Sequence, residues 1–269
     1  MRRSRLSPFA VSSIDASRRI ISAGALTLLA ACADPMSTPP SVSEVPTVDP
    51  SVGMVASWGV VPVPSEFSWS QGQAAKLMGS AADRVCYLTY VAGDFDASTE
   101  WVGITISLGN WWLTGGSARS GVNAKARCIL VSSYGAEITA ISTYGSASQN
   151  LTGYACGFTR IAGRFDTFSA HVEVWPPLLS VQSSLGSYVE ARVRCITSPV
   201  QTTGPVTWHG SGSLVTLAST ASPWTCFLTR MRGPFEGSAD WISAFKGTSV
   251  WYLWGAPHPA RRAGGACVQ

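Results

Sequence analysis

The chain has 269 residues, of which 46% are hydrophobic and only 13% charged, and its formal net charge is +4. Five of the 19 basic residues but only one of the 15 acidic residues precede Cys32, so residues 32–269 carry 14 of each and are close to neutral. This balance gives no support for nucleic-acid binding, which requires a concentrated basic face.

The N-terminus has the layout of an export signal. Arginines stand at positions 2, 3, 5, 18 and 19, and an apolar stretch follows from Ile20 to Leu29. The stretch is shorter than the ~20 apolar residues that a membrane-spanning helix needs. It has the length of a signal-peptide core. The sequence therefore predicts that residues 1–31 are a signal peptide.

The apolar stretch ends in Leu29-Ala30-Ala31-Cys32. This motif resembles the lipobox of bacterial lipoproteins, although the resemblance covers only the start of the chain. It implies that Cys32 is the lipid anchor, which receives a diacylglycerol and becomes the first residue after cleavage. Residue 33 is Ala rather than Asp, which in that family implies an outer-membrane lipoprotein, facing either the periplasm or the surface. The alternative is an ordinary secretory signal with a chance cysteine.

Residues 32–52 are rich in Pro, Ser and Thr and contain no aromatic residue. Such a segment cannot bury enough apolar surface to fold. Because a proline-rich chain extends by about 3.1 Å per residue, it could reach up to ~60 Å. We therefore interpret it as a tether that holds a folded body away from the membrane.

The body that follows contains three copies of one sequence unit. The copies begin at Cys86, Cys156 and Cys226, which are 70 residues apart in both cases. Three further columns repeat behind them: Thr89, Thr159 and Thr229; Gly93, Gly163 and Gly233; and Phe95, Phe165 and Phe235. We expect each copy to run along a strand into a glycine with positive φ or a bulge, after which the phenylalanine returns to the core.

Short alternating runs separated by glycine, with no long helical pattern, predict an all-β protein. We place three tandem β repeats at residues 53–130, 131–197 and 198–269. Three such units suggest pseudo-threefold symmetry, in a β-prism-like arrangement or a ring of three small antiparallel sheets. A β-trefoil fits less well, because its repeats are usually shorter.

Within each repeat, the period-two pattern separates a buried face from a wet one. A second strand has apolar residues on one side, which are Val102, Ile104 and Ile106 in the first repeat, Val172 and Val174 in the second, and Ile242 and Ala244 in the third. A third strand places Trp111 and Leu113, matched by Trp251 and Leu253, in the core. The closing strand alternates from Val122 to Cys128 and from Val189 to Cys195.

Each repeat thus begins and ends on a cysteine that faces inward. Six cysteines allow fifteen connectivities, but repetition favours one rule for all copies, namely Cys86–Cys128, Cys156–Cys195 and Cys226–Cys267. Export would supply the oxidising compartment. No cysteine or histidine pair has the close spacing of metal ligands, and Asp94-x-Asp96 is not repeated in the other copies. We therefore expect no metal and no cofactor.

The opposite strand faces carry aromatic residues. Trp101 and Trp112 point away from the core in the first repeat, and Trp241 and Tyr252 take the same positions in the third, whereas the second has His171 and Gln182. Glu100 and Asp240 directly precede the first tryptophan of each pair. Aromatic rings beside carboxylates are suited to stack on sugar rings and to accept their hydroxyl hydrogens. These residues form the predicted ligand-binding set, for a carbohydrate or peptidoglycan.

Two other interpretations remain. The tryptophans could pack between repeats, in a structural or adhesive envelope protein that contacts other proteins. A pair of carboxylates from different repeats could cleave a glycoside. However, the three histidines occupy unrelated repeat positions, and no nucleophile elbow, phosphate loop or zinc-protease motif occurs. We therefore expect a binding module without catalytic residues.

Overall fold

The computed structural model describes residues 61–118, 121–184 and 186–269. The signal peptide, Cys32 and the tether lie outside the described residues, so their assignments stay predictions. The described part of the chain forms strands and no helix.

Six strands fall in each repeat. The first contains β1 (Val61–Ser70), β2 (Lys76–Ser80), β3 (Arg84–Asp94), β4 (Trp101–Ser107), β5 (Asn110–Gly116) and β6 (Asn123–Leu130). The second contains β7 (Ile138–Ser142), β8 (Gly145–Asn150), β9 (Ala155–Gly163), β10 (His171–Trp175), β11 (Leu178–Ser183) and β12 (Val189–Ile196). The third contains β13 (Val206–Trp208), β14 (Val215–Ser219), β15 (Thr225–Arg232), β16 (Glu236–Lys246), β17 (Val250–Gly255) and β18 (Arg262–Val268).

These strands form three six-stranded antiparallel sheets. Sheet A has the order β1-β6-β3-β16-β17-β14, sheet B the order β2-β5-β4-β9-β12-β7, and sheet C the order β13-β18-β15-β10-β11-β8. Each sheet takes the first, sixth and third strands of one repeat and the fourth, fifth and second strands of another. The all-β class and the pseudo-threefold arrangement are therefore confirmed.

No sheet belongs to a single repeat. Sheet A joins the first repeat to the third, sheet B the second to the first, and sheet C the third to the second. The junction is the same each time, since a third strand pairs with a fourth strand of another repeat, as β3 does with β16. Each repeat is thus completed by both of the others.

The third strand of each repeat has an irregularity in the same place. The pairing register shifts by one residue at Thr89, Thr159 and Thr229, which marks a β-bulge at each threonine. Four residues later, Gly93, Gly163 and Gly233 have φ values of 122°, 111° and 94°. A Cβ at Gly163 would lie 2.0 Å from the Tyr188 carbonyl oxygen, so only glycine fits there. The predicted positive φ is confirmed.

The phenylalanine column meets at the centre of the molecule. Phe95, Phe165 and Phe235 are fully buried, with ring centroids 6.1 to 6.5 Å apart and planes between 77° and 88° to one another. Their backbones also close a cycle, because the N–H of Phe95 donates to Phe235, that of Phe235 to Phe165, and that of Phe165 to Phe95. This phenylalanine triad joins the three repeats at one level of the pseudo-threefold axis.

The residues directly after the opening cysteines make a second contact between repeats. Tyr87 and Phe227 pack with ring centroids 4.5 Å apart, and the second repeat has Gly157 at the same place in its strand. A Cβ on Gly157 would lie 2.7 Å from both rings. Gly157 has no side chain, so the rings of Tyr87 and Phe227 fill the space beside it.

The three predicted disulfides are present: Cys86–Cys128, Cys156–Cys195 and Cys226–Cys267. Each joins directly opposed residues of the third and sixth strands of one repeat. Most predicted core positions are buried, but Ile106 is 39% exposed. It lies at the end of the β4–β5 hairpin, where Ser107 and Asn110 flank the turn beyond the core.

Candidate ligand-binding surfaces

The four predicted aromatic residues lie on the outer faces of two different sheets. Trp101 and Trp112 belong to sheet B, whereas Trp241 and Tyr252 belong to sheet A. All four side chains are half-buried. The two pairs are equivalent within their hairpins, but the strand beside each pair comes from another repeat and differs in sequence.

On sheet A, three more aromatic residues join Trp241 and Tyr252. We name this set the sheet-A aromatic face: Tyr90, Trp241, Phe245, Tyr252 and Trp254. Tyr90 and Trp254 both pair with Ser243, and Phe245 pairs with Tyr252, so all five project from the same side of the sheet. The residues between them, Ile242, Ala244 and Leu253, are buried in the core.

The rings of this face contact one another. Trp241 stacks on Tyr90 at a centroid distance of 6.1 Å and an angle of 26°, and it meets Trp254 edge-on at 5.1 Å. Phe245 and Tyr252 lie 5.6 Å apart. The Trp254 indole N–H donates to the Gly212 carbonyl at 3.0 Å, which fixes its ring. The contacts hold several half-buried rings in fixed positions on a pleated surface.

Polar groups border the face on one side. The Lys125 ammonium lies 5.7 Å from the Tyr90 ring centroid and pairs with the Glu66 carboxylate at 3.1 Å. Burial raises the pKa of Tyr90, so its hydroxyl stays neutral at physiological pH. The face therefore combines flat apolar surfaces with hydroxyl and ammonium donors.

On sheet B, Arg160 occupies the position that Tyr90 has on sheet A. The Arg160 guanidinium lies 4.0 Å from the centroid of the Trp101 ring, in a cation–π contact. Gly103, which pairs with Arg160, leaves room for this side chain. One face of the Trp101 indole is therefore covered by the protein itself.

Arg160 is held in place by an ionic network. It lies 3.3 Å from the buried carboxylate of Glu190, which also accepts hydrogen bonds from Tyr188 and Arg192. Burial tends to raise the pKa of Glu190, but the hydrogen bonds of Tyr188 and Arg192 and the charges of Arg160 and Arg192 outweigh it and lower the pKa. Glu190 is thus ionised at neutral pH and fixes Arg160 above Trp101.

Trp112 lies at the end of the same hairpin. Its indole N–H donates to the Ser107 carbonyl at 3.2 Å, and its backbone pairs with Leu77 and Thr105. No described aromatic ring contacts it, whereas its equivalent Tyr252 packs on Phe245. Sheet B therefore lacks the groups of contacting rings that sheet A has.

The two predicted carboxylates bind other groups of the protein. Glu100 is fully buried, where it accepts hydrogen bonds from the Ala97 N–H and the Ser117 hydroxyl. Burial raises its pKa. Asp240 pairs with the buried Arg261 at 2.8 Å and accepts from the Glu236 N–H at 2.9 Å. Glu100 is therefore enclosed by the protein, contrary to the expectation that it would bind sugar hydroxyls, whereas for the half-buried Asp240 that role stays a prediction.

In the second repeat, the residue equivalent to Trp112 and Tyr252 is not the predicted Gln182. His171 is equivalent to Trp101 and Trp241, and burial lowers its pKa. Gln182, however, pairs with His171, as Gly116 pairs with Trp101. The β10–β11 hairpin turns at Pro176 and Pro177, two residues earlier than its counterparts, so the position of Trp112 and Tyr252 is taken by Leu178.

Sequence reasoning missed Tyr90, Phe245 and Trp254. Phe245 and Trp254 continue the alternation that singles out Trp241 and Tyr252: Trp254 is one step beyond Tyr252, and Phe245 is two steps beyond Trp241. Tyr90 lies in another repeat, and no sequence signal links it to Trp241.

Within the described residues, no group of three or more His, Cys, Asp or Glu side chains could hold a metal ion. The same part of the chain contains no helix long and apolar enough to cross a membrane.

No protein-family model matches this chain, and no curated protein matches it either.

Proposed function

We propose that this protein is a non-catalytic carbohydrate-binding module of the bacterial cell envelope, and that the sheet-A aromatic face binds the sugar chain. The observation that supports this proposal is the set of five half-buried rings on one sheet face above a buried core, in one group of three contacting rings and one contacting pair. Cell-wall and surface glycans are the ligands that an envelope protein would meet.

The chemistry of the face fits a sugar better than an ionic ligand. The C–H faces of sugar rings are apolar and stack on aromatic rings, while their hydroxyls exchange hydrogen bonds with polar tips. The rings span strands β3, β16 and β17, and adjacent strands lie about 4.8 Å apart. The face therefore offers room for more than one sugar unit, and the nearby Lys125 is already paired with Glu66.

This proposal assigns different roles to the two tryptophan positions that look alike in sequence. Arg160 covers one face of the Trp101 ring, whereas Trp241 stacks on Tyr90 and meets Trp254 edge-on, so it belongs to a group of aromatic rings. We therefore assign sugar binding to sheet A alone and a structural role to Trp101.

Replacing Trp241 and Trp254 together with Ala is expected to weaken glycan binding about tenfold for each ring removed. The measurement is titration calorimetry of the oxidised protein without its signal peptide, against soluble peptidoglycan fragments and the best ligands from a glycan array.

Trp101→Ala is the matched control, because it removes the equivalent ring from sheet B and should leave glycan affinity unchanged. Thermal melting of each variant checks that it is folded. Equal glycan binding by the wild type and the double variant would contradict the assignment to sheet A. If the wild type binds no glycan, the alternative of a structural or adhesive envelope protein gains support.

We further propose that Cys32 anchors the protein to the outer membrane. Two acyl chains, at about 0.8 kcal/mol per buried methylene, bind a membrane stably. Cys32→Ser is expected to remove labelling by radioactive palmitate and to release the protein into the soluble fraction. Ala33→Asp should keep the label but shift the protein toward the inner membrane, and an unchanged distribution of Cys32→Ser would contradict lipid anchoring.

A further inference from the structure

At two of the three sheets, an arginine of one repeat covers a buried tryptophan of another. On sheet B, the Arg194 guanidinium lies 5.5 Å from the Trp111 ring centroid. On sheet A, Arg127 lies 5.2 Å from Trp251. Both arginines directly precede a closing cysteine, and both tryptophans lie on a fifth strand. The contact is therefore a repeated feature of the ring.

Sheet B adds a third side chain to this contact. The Tyr134 ring lies 5.8 Å from Trp111 and 5.6 Å from the Arg194 guanidinium. Tyr134 forms an isolated backbone bridge with Ile196, the residue after the closing cysteine. Three large side chains thus fill one space between two repeats.

Sheet C has none of these three side chains at the equivalent positions. Ala266 precedes its closing cysteine, where the other repeats have arginine. The β10–β11 hairpin turns early, at Pro176 and Pro177, so it has no strand position equivalent to that of Trp111 and Trp251. Thr202 makes the bridge that is equivalent to that of Tyr134, since it pairs with Val268.

On sheet C, the space that these side chains fill on sheet B is a cavity. It has a volume of about 270 Å³, and its lining includes Tyr154, Trp175, Pro205, Phe227, Ala266 and Cys267. Tyr154 and Trp175 are 53% and 54% exposed, so they form its rim. None of the described lining residues carries a charge. We name this space the sheet-C cavity.

We propose that the sheet-C cavity is a binding site for a small, neutral, planar aromatic ligand of roughly the size of indole. The other two sheets show what this space holds when it is filled, which is an indole ring. An apolar cavity of about 150 Å³ is known to bind benzene, so the larger cavity here suits a two-ring system. A ligand with a buried charge would be disfavoured, because no group of opposite sign faces it.

The site differs in kind from the sheet-A aromatic face. The face is an open surface that stacks on extended chains, whereas the cavity is a recess for a single ring system between sheet C strands and the start of β9, open at the rim of Tyr154 and Trp175. Its ligand is therefore a small molecule, and its occupancy is independent of glycan binding.

The test is ligand-observed NMR and calorimetry with indole and the oxidised protein without its signal peptide. Saturable binding of indole in the millimolar range or tighter is expected. Ala266→Leu should fill the cavity and weaken indole binding at least tenfold, without lowering the melting temperature. Ala136→Leu, the same change at an exposed site outside the cavity, should bind indole like the wild type.

Absence of saturable indole binding would overturn the proposal, and so would equal affinity in the Ala266→Leu variant. Trp241→Ala should leave indole binding unchanged, and Ala266→Leu should leave glycan binding unchanged. Failure of this inference can therefore be distinguished from failure of the glycan proposal.

Discussion

Phe165→Ala is expected to lower the free energy of unfolding by about 3–5 kcal/mol. The Phe165 ring is fully buried and contacts both Phe95 and Phe235, so its removal leaves a cavity where all three repeats meet. The closed cycle of backbone hydrogen bonds limits how far the surrounding chain can move inward to fill it. Denaturant unfolding, followed by tryptophan fluorescence and circular dichroism, gives the measurement.

Phe168→Ala provides the control for this prediction. Phe168 lies three residues further along the chain and is 66% exposed, so its loss should change stability by about 0.5 kcal/mol or less. The Phe95→Ala, Phe165→Ala double variant should cost less than the sum of the single variants, because both rings border one space. A loss below about 1 kcal/mol for Phe165→Ala would show that the triad does not stabilise the ring of repeats.

Removing the second disulfide by replacing Cys156 and Cys195 together with Ala should cost about 4 kcal/mol. In the chain-entropy treatment, the effect depends on the length of the loop that the bond closes in the unfolded chain. The three bonds span 42, 39 and 41 residues, so the three paired replacements should cost nearly the same.

The measurement is denaturant unfolding of the three paired variants beside the wild type, with and without a reductant. The reductant should have a smaller effect on each variant than on the wild type, because one bond fewer remains to be broken. Unequal losses among the three variants would show that native packing, and not loop length, sets the contribution of each bond.

The local features of the fold could be predicted because they repeat. Three copies of the glycine and phenylalanine columns indicated a strand, a turn and a return to the core, and the structure has all three. The alternation of β6 and β12 likewise indicated their buried faces and the cysteine pairs. Alternation reveals which side of a strand is buried, but it carries no information about which strand lies alongside. The combination of two repeats in every sheet therefore could not be predicted.

The same limit applies to the candidate site. Trp101 and Trp241 have similar sequence surroundings, and the difference between them lies in the neighbouring strand, which supplies Arg160 in one case and Tyr90 in the other. The burial of Glu100 depends on the turn from Ala97, which alternation does not describe. The position of Gln182 was wrong because the second hairpin is shorter, and an ungapped repeat alignment cannot register that change.

The exchange of strands between repeats has a consequence for cooperativity. In an open array of repeats, each unit contacts its neighbours along a line, and the outermost units need polar caps and can unfold first. Here each unit is completed on both sides, so the assembly has no outermost member and no unit that can detach without breaking two sheets. Such a closed arrangement favours melting as a single body, and it offers no end at which a fourth copy could be appended.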